Sequence, residues 1–355
     1  MTPHADRGLT LVEALVALAL AVMAASGVLI VASWQVTMAV TSPEAIDLQQ
    51  RARAAMSAIV QDLSMAGAGP TAGPRDGPLV RYFASVLPRA PHADAHSVVR
   101  NDVIAVFFVP VARAQTSLAA PLASSGTSAT VAWLPNCPLG LPACGFEEGA
   151  SLVMFDEDGR FDVAAVADVA ADGLTLRRRL GEAGPAFPAG ASIVAAEAHV
   201  YYFDAARRQL RHHDADRTDT AVVGDVVQMT VDYAGDVLPP ADPRPPLGAS
   251  NCLYDIGGTP RPELTLLGAP PFTLVPLALS QFADGPWCGE GGTRFDADLL
   301  RVRLVRVRLR LQAAPAAVRG TVGHAVPGTS RRASTVVPDL EIAFDVAPRN
   351  LGVIR

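Results

Sequence analysis

Cys137 and Cys144 enclose the stretch CPLGLPAC, and Cys252 and Cys288 bracket a second irregular region. Thiolate metal binding would call for C-x-x-C or a histidine at zinc-ligand spacing, and the sequence has neither beside them. An even count in an exported domain reads as disulfides, and local pairing, 137 with 144 and 252 with 288, is the expectation among three connectivities. The run HHDADRTD at 212–219 offers two histidines and three aspartates. It lacks the glycine and the distal glutamate of a calcium loop, so a polar turn between strands is expected. DEDG at 156–159 reads likewise as a hairpin turn, its D-x-D spacing being a slight hint of calcium. In LRVRLVRVRLRL, residues 300–311, the arginines line one face of a strand. Without interleaved aromatics that is a solvated face before it is a DNA-binding stripe. The apolar phase slips near Val305, which predicts a bulge. No G-x-S-x-G, H-E-x-x-H or phosphate loop occurs. No enzyme, metal ligand or cofactor is therefore assigned.

One carboxylate is out of place. Glu13 lies in RGLTLVEALVALALAVM, and from Ala14 to Pro43 no residue is charged. That run exceeds the roughly 20 residues a helix needs to cross a bilayer. A single pass is expected, with MTPHADRG on the cytoplasmic side by virtue of Arg7. A secretory signal cut near VMAAS would leave an acid inside the apolar block, and the apolar run continues past that cut. A plain anchor should avoid the charge, since a carboxylate at mid-membrane costs roughly 2.5–3.5 kcal/mol on insertion scales.

The elements that carry these residues follow from pattern and composition. The chain has 355 residues, half of them hydrophobic, and a net charge of −6, so it can bury a real core. All 29 basic residues are arginine, from which no nucleic-acid partner is inferred. Glycine and proline at 29 each, with 6% aromatics, predict a strand-rich body with many turns. After the apolar run, Ser42 as N-cap, Pro43 at the first helical position and Glu44 near the positive helix end predict further helix. Leu48, Ala52, Ala55, Ile59 and Leu63 recur at helical spacing until GAGP at 67–70 stops it, so one long kinked helix over about 9–65 is expected. Strands are expected within 102–109, 151–166, 173–180, 191–204 and 221–233, paired antiparallel. A Pro-rich, irregular insertion is expected over about 236–290.

The stretch G-L-T-L-V-E resembles the N-terminal signature of type IV pilins and pseudopilins, with Gly8 ending the leader and Glu13 fifth in the mature chain. Leu9 stands where that family usually has phenylalanine. QQRARAAMSAIVQDLSMAGAG and the strands VYYFD, RQLRHH and VVGDVVQMTVDY look like the larger PilW-type minor pilins and, less closely, J-type pseudopilins of type II secretion. The resemblance implies an α+β, pilin-like fold: a long N-terminal α-helix, membrane-spanning in its first half, packed on an antiparallel β-sheet body with loop insertions. It implies a leader over 1–8, a transmembrane half over 9–40, an amphipathic half over 41–69 and a periplasmic body over 70–355. A prepilin peptidase would cut between Gly8 and Leu9 and methylate the new amine. Glu13 would pair with the terminal amine of a neighbouring subunit, where an opposite charge offsets the desolvation of the carboxylate. The implied partners are that peptidase, other minor and major pilins and inner-membrane lipid, with DNA not expected. The implied function is non-catalytic assembly or priming of a type IV pilus. The alternatives are a type II secretion pseudopilin and, from another class, a periplasmic enzyme or binding protein with a signal peptide.

Overall fold

Helix α1, Leu11–Met65, is 55 residues long and carries Pro43 within it. The proline removes one backbone donor and crowds the carbonyl four residues back, which the flanking turns tolerate here. The computed structural model describes residues 10–69, 81–88, 99–110, 114–158, 160–178, 185–214, 218–238, 241, 244–261, 274–284, 297–320, 324–325, 332–333 and 336–352. Leu11–Ala32 is long and apolar enough to cross a membrane, with a mean hydropathy of 2.7 and none of that window buried. Further along α1, the predicted stripe of Leu48, Ala52, Ala55, Ile59 and Leu63 is buried, together with Ala66. The coarse class is α+β: an N-terminal apolar helix followed by a β-rich body of antiparallel sheets.

The chain forms two compact units, residues 1–50 with 312–340 and residues 51–311 with 341–355. In the first, Arg319 donates to the carbonyls of Ala313 and Ala314, and the Val337 N–H donates to the Val318 carbonyl at 2.7 Å.

The second unit distributes its strands over three main sheets, where the sequence suggested a single sheeted body. Strands are numbered in chain order. One sheet joins β1 (Val86–Leu87), β2 (Val103–Phe108), β9 (Glu197–Asp204), β10 (Gln209–Asp214) and β11 (Thr218–Gly224), in the order β1-β2-β9-β10-β11 and antiparallel throughout. Residues 51–65 of α1 belong with this sheet. The Gly67 N–H donates to the Phe107 carbonyl at 3.0 Å, and Arg51 donates to the Gly224 carbonyl at 3.1 Å.

The second sheet joins β3 (Gln115–Ser117), β4 (Ser128–Thr130), β5 (Ser151–Phe155), β6 (Phe161–Val169), β7 (Gly173–Arg178) and β8 (Ser192–Ala195), in the order β3-β8-β5-β6-β7-β4. Leu152, Met154, Ala164, Val166, Leu174, Leu176 and Ile193 place its apolar face in one core.

The third sheet joins β12 (Val226–Gly235), β13 (Val275–Leu277), β14 (Val302–Leu311) and β15 (Leu340–Val346), in the order β13-β12-β14-β15. On β14 the residues Val305, Val307, Leu309 and Leu311 are buried and alternate with exposed arginines. The predicted slip is present: Ala234 pairs with Leu304 but Gly235 with Val302, so the bulge falls at Arg303, two residues before Val305. The insertion expected to be irregular contributes regular structure. Val275–Leu277 pairs as an edge strand with β12, and helix α2, Leu279–Asp284, sets Phe282 edge-on to Tyr233 at 5.3 Å between ring centroids. Pro276 is compatible with that strand because it sits at the sheet edge, where a missing donor breaks no inner ladder.

Candidate functional site

Glu13 has partners within its own chain. Its Oε2 accepts both the Thr10 N–H and the Thr10 hydroxyl at 3.0 Å, while its own N–H donates to Thr10 Oγ1 at 3.3 Å. This reciprocal arrangement is a capping box, T-x-x-E, which satisfies donors that a helix start leaves open. The motif is legible in T-L-V-E, yet the reading of Glu13 as an acid without local purpose overlooked it. Gly8 and Leu9, where the resemblance implies processing, lie outside the described residues.

A second polar group gathers where α1 meets the five-stranded sheet. Asp62 sits on the buried stripe of α1, between Ile59 and Ala66, and is itself buried. His199 and Tyr201 are two residues apart on β9 and therefore share a face. His212 on β10 lies directly opposite Tyr201 in the ladder. Asp62 Oδ2 is 2.7 Å from His199 Nδ1, accepts the Tyr201 hydroxyl at 2.6 Å and stands 4.0 Å from His212 Nε2. The two imidazoles meet edge-on with centroids 4.8 Å apart, and Phe108 closes against His199 at 5.2 Å. Glu197 Oε2 lies 3.7 Å from His199 Nε2.

The two histidines are pushed in opposite directions. Burial depresses His199, but the hydrogen bond and charge of Asp62, with Asp214 and Glu197 behind, outweigh it and leave its pKa above the ordinary imidazole value. Burial, reinforced by the charge of His199, holds His212 below that value. Burial and then Asp62 push the Tyr201 phenol up, so it remains a donor. The group has the chemistry to hold a proton or a cation between α1 and the sheet.

The other sequence candidates have structural tasks. HHDADRTD is not a simple polar turn: residues 209–214 are strand β10, 218–224 are strand β11, and 215–217 lie outside the described residues. His212 thus points into packed structure because of strand parity, which loop composition concealed. In DEDG, Asp156 Oδ1 accepts the N–H groups of Asp158 and Arg160 at 3.1 and 3.0 Å, and its Oδ2 accepts Arg160 Nε at 2.7 Å. Burial pushes this carboxyl up to about 6, with Arg160 opposing. The turn holds a guanidinium at the D-x-D spacing that hints at calcium in the sequence. The arginines of β14 are offset by acids, Arg306 by Asp345 and Arg308 by Asp232. Cys137 and Cys144 form the expected disulfide, with Cα atoms 4.6 Å apart. Cys252 is buried and disulfide-bonded, and Cys288 lies outside the described residues.

Asp62, His199 and Tyr201 were missed from sequence. A signal for the first exists: a carboxylate at position 62 interrupts the apolar stripe Ala55, Ile59, Leu63, and a buried acid needs a partner. Comparisons with protein-family models, with curated proteins and with solved structures found no match to this chain, so its functional reading rests on its own residues.

Proposed function

We propose that the chain is a non-catalytic minor subunit of a type IV pilus, of the PilW type, stored in the inner membrane and drawn from there into the filament or its priming complex. The observation that carries this reading is α1. Its first part, Leu11–Ala32, offers an unburied apolar surface long enough to span a bilayer, and the same helix continues to Met65 with its later residues packed into a β-rich body. A signal peptide needs no such continuation, because it is cut away from the body it exports. A subunit that is first stored in lipid and then packed among neighbouring helices needs both parts in one element. The G-L-T-L-V-E stretch supports the same reading by placing the cut before the helix and leaving Glu13 in the product.

Mass spectrometry of the mature N-terminus tests it. The expected product begins at Leu9 with a methylated amine; a mature chain beginning near Ala25 or Ser26 would replace the pilin reading with an exported periplasmic protein.

A further inference from the structure

We propose that Asp62, His199 and His212 form a site for a divalent transition metal of the zinc class, joining α1 to the β9–β10 hairpin. The three ligand atoms lie within 4.8 Å of one another and come from three separate elements. Two imidazoles and one carboxylate are a borderline donor set that suits zinc and its neighbours; calcium and magnesium would call for an oxygen cage.

The spacing carries the argument further. His212 Nε2 is buried and has no hydrogen-bond partner among the described residues. At 4.0 Å from Asp62 Oδ2 it is too far to donate, and a buried polar atom left in that state is unfavourable. Ligands of one tetrahedral zinc, with bonds of about 2.0–2.1 Å, stand about 3.4 Å apart. His212 would have to move inward, and His199 Nδ1, now 2.7 Å from the same oxygen, outward, each by about 0.6–0.7 Å to reach that separation. The rings meet edge to face at 83° and do not stack on each other. On metal entry the proton between His199 Nδ1 and Asp62 leaves to solvent, and the freed lone pair takes the metal.

The surroundings fit ligands that are held in place. The Tyr201 hydroxyl fixes the orientation of the Asp62 carboxylate at 2.6 Å. Glu197 stands 3.7 Å from His199 Nε2, the ring nitrogen turned away from Asp62; that is beyond hydrogen-bond reach, but it places a carboxylate on the side of the ring from which ligating histidines are oriented. The His199 and His212 side chains keep 17% and 20% of their exposure, so the group lies just beneath the surface.

The test uses the untagged full-length chain in detergent, stripped with chelator, titrated with zinc chloride alone and dialysed before metal is counted. One zinc per chain is expected, with two imidazoles in its inner shell by X-ray absorption. His199→Gln and His212→Gln should each weaken binding at least tenfold, while His213→Ala, one residue along on the opposite strand face, should keep the full equivalent. No retained zinc, a zinc without imidazole ligands, or binding that survives the double His199→Gln, His212→Gln variant would overturn the proposal. Should the variants fail to fold, as judged by circular dichroism, the wild-type absorption spectrum alone decides, because the imidazole count needs no substitution.

Discussion

Two demands meet at Glu13, and substitution can separate them. Its carboxylate closes the first turn of α1 through Thr10, and under the proposed function it also answers a neighbour's amine. Glutamine can take the same capping position, so Glu13→Gln keeps the cap and removes the charge. Thr10→Val does the reverse. If charge pairing drives assembly, Glu13→Gln should leave the membrane pool unchanged and lower the sheared-filament fraction about tenfold. Thr10→Val should leave the filament fraction near wild type. Equal filament fractions for wild type and Glu13→Gln would reduce Glu13 to a helix cap. The local half of this argument was legible in T-L-V-E; its partner on another chain is supplied by resemblance alone.

Among the elements, the β12–β14 ladder shows what alternation encodes and what it leaves out. The apolar phase of residues 300–311 predicted a bulge, because a one-residue slip must exchange the two faces of a strand. It did not reveal why the bulge requires Gly235. A β-carbon there would lie 2.0 Å from the Arg301 carbonyl oxygen. That carbonyl cannot retreat, since it accepts the Asp236 N–H at 3.0 Å while the Arg301 guanidinium donates back to the Asp236 carbonyl at 2.8 Å and is anchored on buried Asp298. Gly235→Ala should therefore destabilise the body by about 3 kcal/mol, at the upper end for forced overpacking. Gly224→Ala is the contrast: no atom lies within 4 Å of its would-be β-carbon, and a change of about 0.5 kcal/mol or less is expected. Chemical denaturation of the solubilised chain compares the two midpoints. The strands themselves were largely readable from pattern, but their division among three sheets was not, because alternation reports a buried face and not the strand that covers it. β13 and α2 were hidden by the prolines that precede them.

For the molecule taken entire, distance along the chain decided what could be read. The α1 stripe and the Cys137–Cys144 bridge are local, and both were anticipated. Asp62 and His199 are 137 residues apart, and only the packing of α1 on the β-sheet brings them within 2.7 Å. The disulfide connects local structure to the fate of the whole chain, because it forms only where the compartment is oxidising. Its loop turns back through Ala143 and Cys144 at φ of 42° and 60°, a left-handed conformation that side-chain-bearing residues adopt at some expense. For a sequence separation of 7, closing the loop restricts the unfolded chain by about 2.5 kcal/mol, so Cys137→Ser with Cys144→Ser should lower stability by about that amount. If α1 crosses the inner membrane and carries the body outward, non-reducing peptide mapping of cells should recover the 137–144 bridge from the full-length chain. A variant lacking residues 1–32 has lost the apolar span and should keep its body in the reducing interior with both thiols free. A full-length chain whose Cys137 and Cys144 are alkylated before reduction would place the body on the wrong side of the membrane, and the proposed passage from lipid to filament would fail with it.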